Sequence, residues 1–240
     1  MADADSMYSE RLWGQVATSA YRHVAPPLSI VVVDGCRFGQ LGLAGLLTVP
    51  ALSTQAVSVS THARVEEALA GAYRDRAGVE GACAGRCLVL RLPGPPLPAL
   101  QQLLCLENES LVRAGFGRLV ILSPFEGNNV IRQVLVCGGI RMPVRIVDAR
   151  SPVTWLRRVV LSQGSLQQAG DDELLPQMPA LILSPPERRV LAGTLSEISI
   201  PQQARRLHRN NKTLYAQRHS ALHKLRSPGV AALLRRFVSM

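Results

Sequence analysis

The chain predicts an α/β body with a parallel five-stranded sheet, followed by a small, basic, all-α module. Three observations predict it. Apolar, β-branched runs alternate five times with helix-like segments between Leu28 and Gln163, the pattern of parallel strands covered by helices on both faces. Ser29–Val33 (SIVVV) is apolar without a break, as a strand buried on both sides must be. The charge is lopsided. Residues 181–240 hold eleven Lys and Arg against two Asp and Glu, whereas residues 1–180 hold sixteen against fifteen, so nearly all of the net +10 lies in the last quarter. A basic terminal module on a near-neutral body is the footprint of a polyanion binder, most often nucleic acid.

The elements follow in order. Residues 1–27 show no clear period and read as an extension closed by Pro26 and Pro27. After the first strand, Phe38–Leu47 has leucines at 41, 43, 46 and 47, a helical pattern. Ala56–Val59 reads as a short strand and His62–Tyr73 as a helix. Cys87–Leu92 (CLVLRL) is a strand stopped by Pro93-Gly94-Pro95-Pro96, and Leu97–Leu106 a helix. Arg118–Leu122 is a strand, and Asn128–Cys137 a helix with Val130, Ile131, Val134 and Leu135 on one side. Val144–Val147 is the fifth strand, and Pro152–Leu161 an amphipathic helix with proline in its first turn. Residues 28–163 thus form one domain. Polar residues 164–180 read as a linker, and residues 181–240 as the second domain.

In that domain Ser184, two prolines and Glu187 spell a capping box. The first helix runs to about Leu195 and buries Val190 and Leu191. Ile200-Pro201 opens a second helix, with Ala204 and Leu207 inward. Asn210 and Asn211 open a third, in which Leu214, Ala221 and Leu225 share one face. Lys212, Tyr215, Ala216, His219 and His223 fall on the opposite face, with Arg218 on the flank. A basic outer face on the last of three helices describes a helix-turn-helix that can enter a major groove.

The stretch from Leu183 to Leu225 resembles the LuxR/FixJ-type helix-turn-helix, and within it the RcsB/RcsA-like branch. The residues that carry the resemblance are LSPPERRVL, ARRL, NKTL and QRHSALHKL, matched without gaps over some forty positions. Gly229–Phe237 matches the family's fourth helix, which the resemblance makes a dimer contact. The resemblance also places Lys212 and Thr213 where the family touches phosphate, and Tyr215, Ala216 and His219 where it reaches base edges. Tyr215 and Ala216 are not strong hydrogen-bonding readers, so thymine methyls or a partner subunit suit them better. Three positions depart from the pattern. Glu197 and Arg226 stand where glycine is usual, and Gln203 stands at a core position, where a buried amide needs a partner.

Residues 28–163 resemble a response-regulator receiver domain, which has a flavodoxin-like fold. Its chemistry needs carboxylates for Mg²⁺, an Asp nucleophile, a Ser or Thr, and a Lys. The positions that the resemblance assigns are Asp34, Gly35 in place of a second acid, Val89 in place of the nucleophile, Ser123, and Asp148 in place of the Lys. A valine cannot accept phosphate. The resemblance therefore implies a pseudo-receiver whose remaining work is pairing, with Trp155 as an anchor near Val144–Leu161. Asp148 stands as a possible second carboxylate beside Asp34.

Other chemistries lack their residues. There is no G-x-G-x-x-G, G-x-S-x-G or HExxH. Cys83 and Cys87 have no second pair, so no metal or other cofactor is expected. The odd count of five cysteines, with no leader and no ~20-residue apolar run, points to the cytoplasm and away from membranes. The expectation is a non-enzymatic transcription regulator. Its partners are promoter DNA and a second subunit, either its own copy or an RcsB-like regulator that it assists. Two alternatives stay open: a protein-interaction (anti-regulator) module with weak DNA binding, and a ligand-sensing regulator.

Overall fold

The structure is a computed structural model that describes residues 28–49, 56–77, 85–162, 175–176 and 179–238. The expectations for residues 1–27 and for most of the 164–180 linker lie outside these. The sheet domain runs β1 (Leu28–Val33), α1 (Arg37–Thr48), β2 (Val57–His62), α2 (Val65–Ala77), β3 (Arg86–Arg91), α3 (Pro96–Leu104), α4 (Asn108–Arg113), β4 (Phe116–Ser123), α5 (Asn128–Cys137), β5 (Val144–Asp148) and α6 (Val153–Leu161). The helical module runs α7 (Pro185–Leu195), α8 (Ile200–Leu207), α9 (Asn211–Lys224) and α10 (Val230–Val238).

All strand pairings are parallel, in the order β2-β1-β3-β4-β5, which is the flavodoxin-like order. Alternate side chains serve two cores, because successive residues of a strand point to opposite faces. Leu28, Ile30 and Val32 pack with Val89, Val120, Leu156 and Val159 on the α1/α6 side. Val31, Val33, Leu88, Leu90, Leu119 and Ile121 pack on the other side. That second core does not stop at the sheet domain: it runs on through Leu183, Leu191, Leu195, Leu225, Leu233 and Phe237 of the helical module.

Differences from expectation lie in β2, α2 and α4. β2 extends to His62 and α2 starts only at Val65. As an edge strand β2 alternates half-buried Val57 and Val59 with exposed Ser58 and Ser60, so its pattern is weak. Ala63 N–H then donates to Glu67 Oε2, which fixes the later helix start. The six-residue α4 was not anticipated; only Leu111 in it is buried, and Tyr73 Oη donates to the Ser110 carbonyl to hold it. At the far edge, buried Arg118 and Arg145 donate to the carbonyls of Val159, Val160 and Ser162. They satisfy the end of α6, whose last carbonyls lack helical partners.

The two parts are joined by polar bonds as well. Arg188 of α7 donates to the carbonyls of Leu104 (3.3 Å), Leu106 (3.0 Å) and Gly138 (3.2 Å). Gln101 of α3 donates to the Leu195 carbonyl (3.1 Å), and Gln133 of α5 to the Lys224 carbonyl (3.0 Å). Phe237 of α10 is 1% exposed and meets Phe125 edge-on, with centroids 5.1 Å apart. The resemblance gives α10 a dimer contact. Here its apolar side, Leu233 and Phe237, is taken up inside the chain.

Candidate nucleic-acid interface

The helical module is built by local signals that the sequence contains. Ser184 and Glu187 close a full capping box at α7, and Ser199 and Gln202 close another at α8. Asn210 Oδ1 accepts from Lys212 N–H at the start of α9 (2.8 Å). All three helices end in the same way. At α7, Ile198 N–H donates to the Gly193 carbonyl and Glu197 N–H to the Thr194 carbonyl, while Glu197 has φ 60°. His208 (φ 50°) repeats this after α8, and Arg226 (φ 52°) after α9. These are Schellman closures, whose left-handed residue is usually glycine. Glu197 and Arg226 thus occupy positive-φ positions without being glycine.

Gln203, the other departure, is buried and satisfied. Its Nε2 donates to the Ile198 carbonyl at 2.8 Å. A Cβ on Gly193 would lie 2.6 Å from the Gln203 side chain, so the glycine makes room for it.

Glu187 ties the module together. Its carboxylate accepts from Ser184 N–H (2.7 Å), Ser220 Oγ (2.6 Å) and Lys224 Nζ (2.7 Å). Burial alone would raise its pKa, but the bonds from Lys224, Ser220 and Ser184 outweigh burial and hold it at about 2. The C-terminal end of α9 is thereby fixed to the start of α7. Lys224 also donates to the Ile182 carbonyl.

This scaffold leaves the outer face of α9 open. Leu214, Ala221 and Leu222 are buried, whereas Lys212, Thr213, Tyr215, Ala216 and His219 are exposed. Arg218 is half-buried, with its guanidinium 5.3 Å from the centre of the Tyr215 ring, a cation–π contact. Beside the N-terminus of α9 lies an open groove of about 640 Å³ lined by Arg205, His208, Arg209, Asn210 and Asn211. Arg205 and Arg209 on this groove are exposed, and so is Arg206 of α8. The sequence reading did not single them out, although ARRLHR was visible as a basic run. The sheet domain contacts α7, the C-terminal end of α9 and α10, and does not cover this face.

The residues assigned to a receiver site are only partly brought together. Asp34 is buried beneath Arg91, whose Nη1 donates to its Oδ2 at 3.1 Å, while Cys36 N–H donates to Oδ1 at 2.8 Å. Gly35 lies on the same crevice. Val89 lies inside β3 and is fully buried, two residues short of the strand end. The β1–β3 register pairs Val33 with Leu90 and so brings Arg91, not Val89, beside Asp34. Ser123 is buried, with its hydroxyl bonded to Phe125 N–H and to the Phe125 carbonyl. Asp148 does not join Asp34. It is bound by Arg150, whose side chain and N–H hold its carboxyl below the ordinary range. Among the described residues no group of three His, Cys, Asp or Glu could hold a metal ion. No helix among them is long and apolar enough to cross a membrane.

Trp155, the expected pairing anchor, is half-buried against the α1/α6 core. Exposed apolar residues on that side include Phe38 (85%), Leu41 (54%) and Val153 (61%). No sequence periodicity distinguishes outward from inward leucines in a helix with so few charges.

No family model matches the chain, and no curated protein matches it. Solved structures are similar to it. RcsB from Salmonella enterica serovar Typhimurium, bound to promoter rprA in the presence of phosphomimetic BeF3-, is 19% identical, with a TM-score of 0.49, over 89% of this chain and 100% of that one. A complex of the two-component response regulator RcsB with DNA is 17% identical, with a TM-score of 0.46, over 89% and 100%. Full-length FixJ from B. japonicum is 17% identical, with a TM-score of 0.34, over 88% and 96%. The architecture described above stands on its own geometry.

Proposed function

We propose that the chain is a transcription regulator of the LuxR/FixJ type that binds promoter DNA through α8 and α9 and works without phosphoryl transfer. The observation that carries this reading is the exposed basic surface. Arg205 and Arg209 line the groove at the start of α9, where Lys212 precedes exposed Thr213, Tyr215, Ala216 and His219, and the other side of α9 is packed into the cores. The cations set affinity through phosphates and release counterions, and the α9 side chains meet base edges. Tyr215, stiffened by Arg218, offers a ring to a thymine methyl.

The phosphate-independent part rests on residue chemistry. Arg91 stands beside Asp34 and neutralises it. Neither Arg91 nor Val89 is an oxygen nucleophile, and Asp148 is committed to Arg150. The sheet domain then serves pairing. The α1/α6 face, with Phe38, Leu41 and Val153 exposed, is the surface that suits a second subunit. That subunit is a second copy or an RcsB-type regulator, with the present chain as auxiliary, and the pair acts in the cytoplasm.

The test uses duplex DNA selected from a random pool by the full chain. A Lys212→Ala/Thr213→Ala double variant should bind more weakly, and its salt slope should fall by about 0.9, as expected for one lost phosphate contact. Unchanged affinity and slope would favour the protein-interaction alternative.

A further inference from the structure

The carboxyl end of the sheet holds a crevice of about 710 Å³ between the β1–α1 and β3–α3 connections. It lies where the strand order reverses, between β1 and β3. In open α/β sheets, ligands bind at such switch points. The walls are largely apolar: Leu92, Pro93, Pro98, Pro124 and Ala149. Two polar groups are set into them.

The first is Arg91. Asp34 takes its Nη1, and both Asp34 oxygens are engaged, by Arg91 and by Cys36 N–H. The Asp34 side chain is only 6% exposed, whereas that of Arg91 is 42% exposed. An approaching molecule therefore meets guanidinium, not carboxylate. The fit behind it is tight, since a Cβ on Gly39 would strike both Asp34 and Arg91.

The second is Gln102. Pro98 and Gln102 are one turn apart on α3, and both face the crevice. Gln102 Oε1 is fully shielded and has no hydrogen-bond partner among the described residues. A buried acceptor left unpaired is costly and rare. It calls for an O–H or N–H.

We propose that this crevice is a binding site for a small organic acid with an apolar body, its carboxylate on Arg91 and a hydroxyl or amine hydrogen on Gln102 Oε1. The volume suits such a molecule. The site also has a route outward. The other side of α3 carries the helical module, through Gln101 on the Leu195 carbonyl and Arg188 on the Leu104 carbonyl. A ligand wedged against Pro98 and Gln102 bears on the helix that positions α7. Control of DNA binding by this route rests on the function proposed above; the binding site itself does not.

The test is calorimetric titration of the full chain, without DNA, with para-hydroxybenzoate, benzoate and phenol. Para-hydroxybenzoate should bind roughly tenfold more tightly than either of the others, the effect of one satisfied buried acceptor or one charge-assisted pair. Gln102→Leu should reduce para-hydroxybenzoate to the level of benzoate and leave benzoate unchanged. Arg91→Gln should reduce para-hydroxybenzoate to the level of phenol and leave phenol unchanged. If Arg91→Gln fails to fold because Asp34 loses its partner, the Gln102→Leu comparison still decides, since that change only removes an unpaired acceptor. No binding of any probe at millimolar concentration overturns the proposal. So does equal binding of all three, or binding of para-hydroxybenzoate that Gln102→Leu does not alter. None of these results touches the DNA-binding reading, because no DNA is present.

Discussion

Glu187→Gln tests how the helical module is held. The wild-type carboxylate accepts three hydrogen bonds, one from the Lys224 ammonium, at a side chain 9% exposed. Its pKa stands at about 2 against an ordinary 4.5. That gap corresponds to roughly 3 kcal/mol of stability. The sign follows from the direction of the shift. A lowered carboxyl pKa stabilises the fold fully above the ordinary value and loses that effect as pH falls from 4.5 towards 2. Glutamine keeps the acceptor for Ser184 N–H but not the charge, and Lys224 keeps the Ile182 carbonyl. The expected cost at pH 7 is therefore somewhat less, about 2–3 kcal/mol, or roughly 5–10 °C in Tm for a chain of this size. Thermal melts followed by circular dichroism at pH 7 and between pH 4.5 and 3 would measure it. The gap between wild type and variant should shrink by more than half by about pH 3. A gap that does not change with pH, or no gap at pH 7, would refute the ion-pair account.

Three further outcomes follow from the packing. Phe237→Ala should cost about 3–5 kcal/mol, because the ring is buried against Phe125, and should split one calorimetric transition into two; a single transition of unchanged midpoint would contradict the shared core. Glu197→Gly should stabilise the chain by roughly 1 kcal/mol in urea unfolding, since φ 60° strains any side chain there; destabilisation would show that Glu197 makes a contact that matters more. Phe38→Asp with Leu41→Glu should lower self-association in analytical ultracentrifugation without moving the Tm, as both side chains are exposed. Unchanged association would remove α1 from the pairing surface.

The sheet was legible because strands buried on both faces read as near-continuous apolar runs, so SIVVV and LVIL stand out. The helix starts were legible too, from the Ser184 capping box, from Ile200-Pro201 and from Asn210, although the second capping box, Ser199 with Gln202, emerged only in the fold. The helix ends of the module carried no glycine, so Glu197, His208 and Arg226 gave no stop signal although each takes the left-handed position. Long-range features were hidden for a different reason. Arg91 reaches Asp34 across fifty-seven positions, and counting back from Pro93 placed the key position on Val89 instead. The strand register, which only the folded sheet fixes, sets Arg91 beside Asp34 and leaves Val89 inside β3. Likewise, nothing local in GVAALLRRF tells whether Phe237 meets a second subunit or Phe125 of its own chain. The exposure of Lys212, Tyr215 and His219 was legible from their spacing opposite Leu214 and Ala221, whereas the place of Arg205 and Arg209 beside the start of α9 needed the groove to show it.

The central claim is DNA binding without a phosphate switch. Fluorescence anisotropy of a selected duplex, titrated with the full chain in Mg²⁺ with and without acetyl phosphate, tests it most directly. Tight, salt-dependent binding with the same Kd is expected in both conditions, because Arg91 occupies the position beside Asp34. A clear gain in affinity with acetyl phosphate, dependent on Mg²⁺, would contradict it.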